Sequence, residues 1–87
     1  MQIWKYEIAP GENQLDIPQS ATLLSVQVQR KAVQLWALVD PEQPLERRRI
    51  AVYGTGHNIP EDQNLRFVDT FQLEAGFLVF HAFELAA

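Results

Sequence analysis

Apolar and polar residues alternate with a period of two along most of this chain, and a period of two is the pattern of a strand with one face buried. In residues 2–9, QIWKYEIA, Trp4, Tyr6 and Ile8 fall on one face and Lys5 and Glu7 on the other. Pro10-Gly11 ends the run, because proline lacks the N–H that a ladder needs. Leu15-Asp16-Ile17 alternates again and offers a hairpin partner to the first strand. Residues 22–29, TLLSVQVQ, set Leu24, Val26 and Val28 against Ser25, Gln27 and Gln29. Residues 32–40 follow after only Arg30-Lys31, which predicts a tight hairpin without the usual Asn-Gly pair.

The second half continues in the same manner. The charged, proline-containing stretch 40–49, DPEQPLERRR, reads as a surface loop, with room for a short helical turn at 42–47. Residues 49–54 form a strand with Ile50 and Val52 on one side and Arg49, Ala51 and Tyr53 on the other. Residues 65–74 alternate so that Leu65, Phe67, Phe71 and Leu73 point inward, with Asp69 as the polar exception. Residues 77–85 return with Phe77, Val79, His81, Phe83 and Leu85 on one face and Leu78, Phe80 and Ala82 on the other. No long segment carries a 3.6-residue period. The expectation is a single all-β domain over residues 1–87: a small antiparallel β-sandwich or barrel of six to seven strands, mostly joined to sequence neighbours, with little helix.

Strands 32–39 and 77–85 are apolar on both faces, whereas a small sheet protein needs only one face for its core. The surplus residues Trp36, Leu38, Leu78 and Phe80 mark either a barrel closed under loops or an interface of a homo-oligomer, of which the oligomer is the preferred reading.

Composition narrows the function. The chain has 87 residues, no cysteine and a net charge of −4. Disulfides, thiolate chemistry and cysteine-type zinc sites are thereby excluded. No apolar run is long enough to span a bilayer as a helix, and no signal-peptide pattern opens the chain, so a cytoplasmic protein without a membrane partner is expected. Only seven Lys and Arg are present, three of them consecutive at Arg47–Arg49. Direct nucleic-acid binding, which relies on a basic face, is disfavoured.

The stretch YGTGHNIPED, residues 53–62, holds the candidate chemistry. Gly54-Thr55-Gly56 follows a strand as a dinucleotide fingerprint does, but the third glycine and the helix are missing, and no Walker lysine follows. Two readings stay open. Tyr53, Gly54, Thr55, Gly56 and His57 could bind a nucleotide-type small molecule at a subunit boundary, with Tyr53 as a stacking face, backbone N–H groups as anion donors and Arg49, at the opposite end of the same strand, adding charge from a neighbouring subunit. Alternatively, Gly54 and Gly56 supply positive φ for a sharp exit from the strand. His81, mid-strand among phenylalanines, reads as a satisfied core or interface histidine, and Glu61 and Asp62 as solvated acids. Two distant histidines make a poor metal site, and Ser20 and Ser25 have no histidine near them in sequence. Asp69 and Glu84 would line a polar strip. No catalytic residue, metal or cofactor is expected.

The segments IWKYEI, LLSVQVQ, LWALVDPE, YGTGHNIPED, FVDTFQL and FLVFHAFE together resemble a family of small bacteriophage and prophage proteins carrying a domain of unknown function. That resemblance implies phage context and transfers no catalytic residue. It points to a non-enzymatic accessory protein in the host cytoplasm that inhibits an antiviral defence system, by sequestering a nucleotide signal or by blocking a host defence protein. A virion or assembly component, or a small enzyme using the 53–60 loop, are the alternatives.

Overall fold

In a computed structural model that describes residues 1–86, the alternation resolves into seven antiparallel strands. They are β1 (Gln2–Ile8), β2 (Gly11–Pro18), β3 (Thr22–Gln29), β4 (Ala32–Val39), β5 (Leu45–Gly54), β6 (Leu65–Leu73) and β7 (Leu78–Leu85). One sheet has the order β1-β4-β3 and the other β2-β5-β7-β6. The molecule is a slab of 39 × 34 × 15 Å between Cα extremes, the thickness of two stacked sheets and not of a closed barrel. The core lies between them. Ile8, Val26, Val33, Leu35, Ala37 and Val39 from the first sheet meet Ile17, Ile50, Val52, Phe71 and Ala82 from the second.

Two hairpins connect sequence neighbours, β3–β4 and β6–β7. In the first, Arg30 and Lys31 both take positive φ, 50° and 68°. That is the twist a two-residue turn requires, here adopted by residues for which it is sterically costly. The second turns through Glu74–Gly76, where all three residues take positive φ, 53°, 53° and 93°. The expected pairing of β1 with residues 15–17 is not made. Gly11, at φ 94°, bends the chain into the other sheet, where β2 pairs with β5. Asn13 holds this corner: its side chain accepts from Ala9 N–H at 2.9 Å and donates to Ala9 C=O at 2.8 Å and to Ile50 C=O at 3.2 Å.

Three further expectations are corrected. Arg47–Arg49 belong to a strand and not to a loop: β5 begins at Leu45, and its outward arginines ladder onto β2 as Arg47–Asp16 (3.3 Å) and Arg49–Glu12 (2.7 Å). The turn that precedes it is an Asp40-capped bend instead of a helical turn at 42–47. Finally, two β-bulges invert the side-chain alternation, since one extra residue exchanges the two faces of the strand on either side of it. At Leu23/Ser25 the bulge leaves Leu24 46% exposed while Leu23 packs on the core. At Phe67/Asp69 it places Leu65 and Phe67 on the outer face, Phe67 being 57% exposed, and brings Asp69 inward with Phe71 and Leu73.

Asp69 then joins the two sheets. Where edge strands β3 and β6 run side by side, its Oδ2 accepts the Val26 N–H at 2.9 Å while Oδ1 accepts the Thr70 N–H at 2.8 Å. Removing the carboxylate strands a backbone donor at the sheet junction. Asp69→Ala is expected to lower stability by about 2 kcal/mol in urea denaturation, and Asp69→Asn, which keeps an acceptor, by less. A loss below about 0.5 kcal/mol for Asp69→Ala would mean that apolar packing alone closes this edge. Replacing Arg30-Lys31 by Asn-Gly is expected to raise stability by about 1 kcal/mol, because both positions already occupy the left-handed region.

Candidate functional site

The segment after β5 leaves the sheet through a turn whose geometry depends on Gly54. His57 N–H donates to Gly54 C=O at 3.0 Å, closing a four-residue turn. The His57 ring folds back over Gly54, so a Cβ there would stand 2.8 Å from the ring and 3.4 Å from Phe80. Gly54 is therefore favoured by the close approach of the His57 ring, and not by a positive φ, whereas Gly56, at φ 86°, is favoured by backbone conformation. Thr55 N–H donates to Val79 C=O at 2.9 Å. Two of the N–H groups that would cradle an anion, those of Thr55 and His57, are thus engaged within the protein.

The side chains of this loop organise the outer face of the four-stranded sheet. Tyr53 and His81 are cross-strand partners, as are Thr70 and His81. His81 is held from both sides: its Nε2 lies 2.7 Å from Thr55 Oγ1 and its Nδ1 2.9 Å from Thr70 Oγ1. A neutral imidazole has one donor and one acceptor nitrogen, so one threonine donates to it and the other accepts. Beside this cluster runs an aromatic row. Phe83 contacts Tyr53 at 6.3 Å and Phe67 edge-on at 5.7 Å between centroids, within the range where aromatic pairs attract. The Tyr53 hydroxyl donates to Gln63 Oε1 at 3.2 Å, tying the 55–64 loop to the strip.

The structure brings Tyr53, Gly54, Thr55, Gly56 and His57 together at one end of β5. Arg49 is five residues away on the outer face, bound to Glu12. That hydrogen bond holds the Glu12 carboxyl below its ordinary pKa and raises that of Arg49. Of the residues expected at an interface, Trp36 and Leu38 lie on the outer face of the three-stranded sheet, opposite Lys5 and Ile3. Lys5 Nζ stands 5.7 Å above the Trp36 ring. Phe80 lies instead on the inner face, stacked on Phe71 at 5.8 Å, and Leu78 precedes it at the sheet end, 46% exposed. The surplus apolar face of β7 is the one bearing Val79 and Phe83.

Asp69 and Glu84 both face inward but act separately. Asp69 serves the sheet junction, and Glu84 receives Arg48 through two hydrogen bonds, from Nε to Oε2 and from Nη2 to Oε1 (2.8 Å). Both partners are 14% exposed, and Arg48 Nη1 also donates to Ala21 C=O at 2.7 Å. The bond to Glu84 raises the Arg48 pKa further, against the effect of burial. Among the described residues, no group of three or more His, Cys, Asp or Glu is placed to hold a metal ion, and no helix is long and apolar enough to cross a membrane.

The His57 ring is a movable side chain, and its contact with position 54 is directly testable. Gly54→Ala is expected to cost about 1 kcal/mol and to cost almost nothing in a His57→Ala background, a coupling readable from a double-mutant cycle in urea. Additive effects would show that Gly54 is held by the backbone alone.

No curated protein and no solved structure matches the chain. One family does, described as a domain of unknown function (DUF7352), and it matches residues 1–87, the whole chain. This two-layer sandwich, with its aromatic outer strip and its glycine-dependent loop, belongs to the DUF7352 family.

Proposed function

We propose that this domain is a non-enzymatic binding protein that occupies the surface of a partner protein through the outer face of its four-stranded sheet. The supporting observation is the row Tyr53–Phe83–Phe67, with Phe67 57% exposed. It is flanked by the polar Thr55–His81–Thr70 cluster on one side and by the Arg49–Glu12 pair on the other. An aromatic centre inside a polar rim is the usual anatomy of a recognition surface. Glu61 and Asp62, exposed on the adjoining loop, add negative charge to that rim and favour a partner with basic residues around an apolar centre. Both histidines have structural employment, His57 as packing over Gly54 and His81 between two hydroxyls, which supports binding over catalysis.

In the phage context implied by the sequence resemblance, the partner is a host defence protein, and the domain acts as an accessory inhibitor in the host cytoplasm. Association of copies through Trp36 and Leu38 uses the opposite sheet and leaves this face free. Blocking a protein is favoured over capturing a nucleotide at the 53–57 loop, because the loop's Thr55 and His57 N–H groups are already bonded.

The test is plating. Expressed in bacteria carrying one of a panel of antiviral defence systems, the chain is expected to restore growth of a phage that the system excludes. Phe67→Ala, folded by circular dichroism, is expected to lose that effect, and Leu24→Ala, on the other sheet, to keep it. Restoration against no system would overturn the defence reading. Equal restoration by Phe67→Ala would overturn the assigned face.

A further inference from the structure

Four of the chain's five arginines line one cleft. The sheet explains why it exists. β7 pairs with β5 only from Arg49 to Gly54, so residues 45–48 of β5 have β2 on one side and no strand on the other among the described residues. The start of β6 and the β2–β3 crossover close the remaining sides. The cavity holds about 500 Å³ and is lined by Arg47, Arg48, Arg49 and Arg66 together with Glu46 and Glu84. A basic cleft on a chain of net charge −4 concentrates its cations where the fold leaves a gap.

The four arginines are unequally committed. Arg48 is fixed by Glu84 and by Ala21 C=O. These bonds use three of the five N–H groups of its guanidinium and leave two. Arg49 is paired with Glu12, and Arg47 makes a 3.3 Å contact with Asp16 in which both side chains are mostly exposed, a pairing worth little in water. Arg66, exposed on β6, has no acidic partner among the described residues. The cross-strand neighbour of Arg66 is Glu84, already neutralised by Arg48. A rigid arginine with spare donors beside a free one is an arrangement suited to the fork geometry of an oxyanion.

We infer that this cleft binds a small phosphorylated molecule of nucleotide size, with Arg66 as the principal charge and Arg48 as a preset donor. The volume lies within the range of small-molecule sites. A small anion can enter beside Glu46 and Glu84, whereas a polyanion would have to cover the surrounding acidic surface. The site is at the opposite end of β5 from the glycine loop and meets the rim of the aromatic face at Arg49.

Calorimetry and thermal shift at constant ionic strength test it, with pyrophosphate, AMP and citrate as probes and sodium chloride as the reference. Pyrophosphate and AMP are expected to bind saturably and raise the melting temperature. Arg66→Gln is expected to weaken both by about tenfold, the loss of one charge-assisted contact, and Arg30→Gln, on the β3–β4 hairpin, to leave them unchanged. Absence of saturable binding by either phosphate probe would overturn the proposal, as would undiminished binding by Arg66→Gln. Citrate binding as tightly as the phosphates would overturn the assignment to phosphate, and a single-stranded oligonucleotide binding more tightly than AMP would overturn the assignment to a small molecule.

Discussion

The hydrogen bond from Val26 N–H to Asp69 Oδ2 is the constraint on which the sandwich turns. β3 is the edge of a three-stranded sheet, and an unpaired edge is a row of donors and acceptors open to any other strand. Here the edge meets β6, the border strand of the second sheet, without forming a ladder. A carboxylate crosses the junction in place of a backbone carbonyl. It can do so because the bulge at Phe67/Asp69 turns Asp69 inward, and its second oxygen is steadied by Thr70 N–H. The same bulge puts Phe67 on the outer face against Phe83. Sheet closure and the exposed aromatic strip thus come from one inserted residue.

The end of the sandwich where β7 stops is organised by Arg48. Its guanidinium reaches Glu84 on β7 and the Ala21 carbonyl on the crossover between sheets. A pair this enclosed contributes less through attraction than it would cost to break, since either partner alone would be left charged and largely out of water. Two polar anchors therefore hold an apolar core whose layers share no strand: Asp69 along an edge and Arg48 at an end.

Most of the strands were legible in the sequence, because alternation of apolar and polar residues is a local signal. Core positions on β1 and β4 and the inward pair Ile50 and Val52 follow from it directly. The bulges were marked only faintly, by the apolar doublets Leu23-Leu24 and Phe67-Val68 and by Asp69 at an inward position, and only pairing across strands shows which residue is extra. The first half of β5 was hidden for another reason. Glu46-Arg47-Arg48-Arg49 carries loop-like charge, and its outward arginines are compatible with a strand only because β2 supplies Glu12 and Asp16 opposite them. The glycine loop was legible as a candidate, and its residues do cluster. The engagement of its N–H groups, the grip of Thr55 and Thr70 on His81, and the convergence of Arg66 with Arg48 all depend on register between strands far apart in sequence.

The lengths of the connections also order assembly in time. The β3–β4 and β6–β7 hairpins close over a few residues, a microsecond event for an isolated hairpin. Pairings such as Ile8 with Val33 and Gly54 with Phe80 wait on longer closures, which are slower. The junction at Asp69 reaches from Val26 across 43 residues, a longer closure than either, so by the same argument it forms after β1 and β5 have joined the hairpins. Each hairpin then grows into its own sheet first, and the two layers are joined last, across the carboxylate of Asp69.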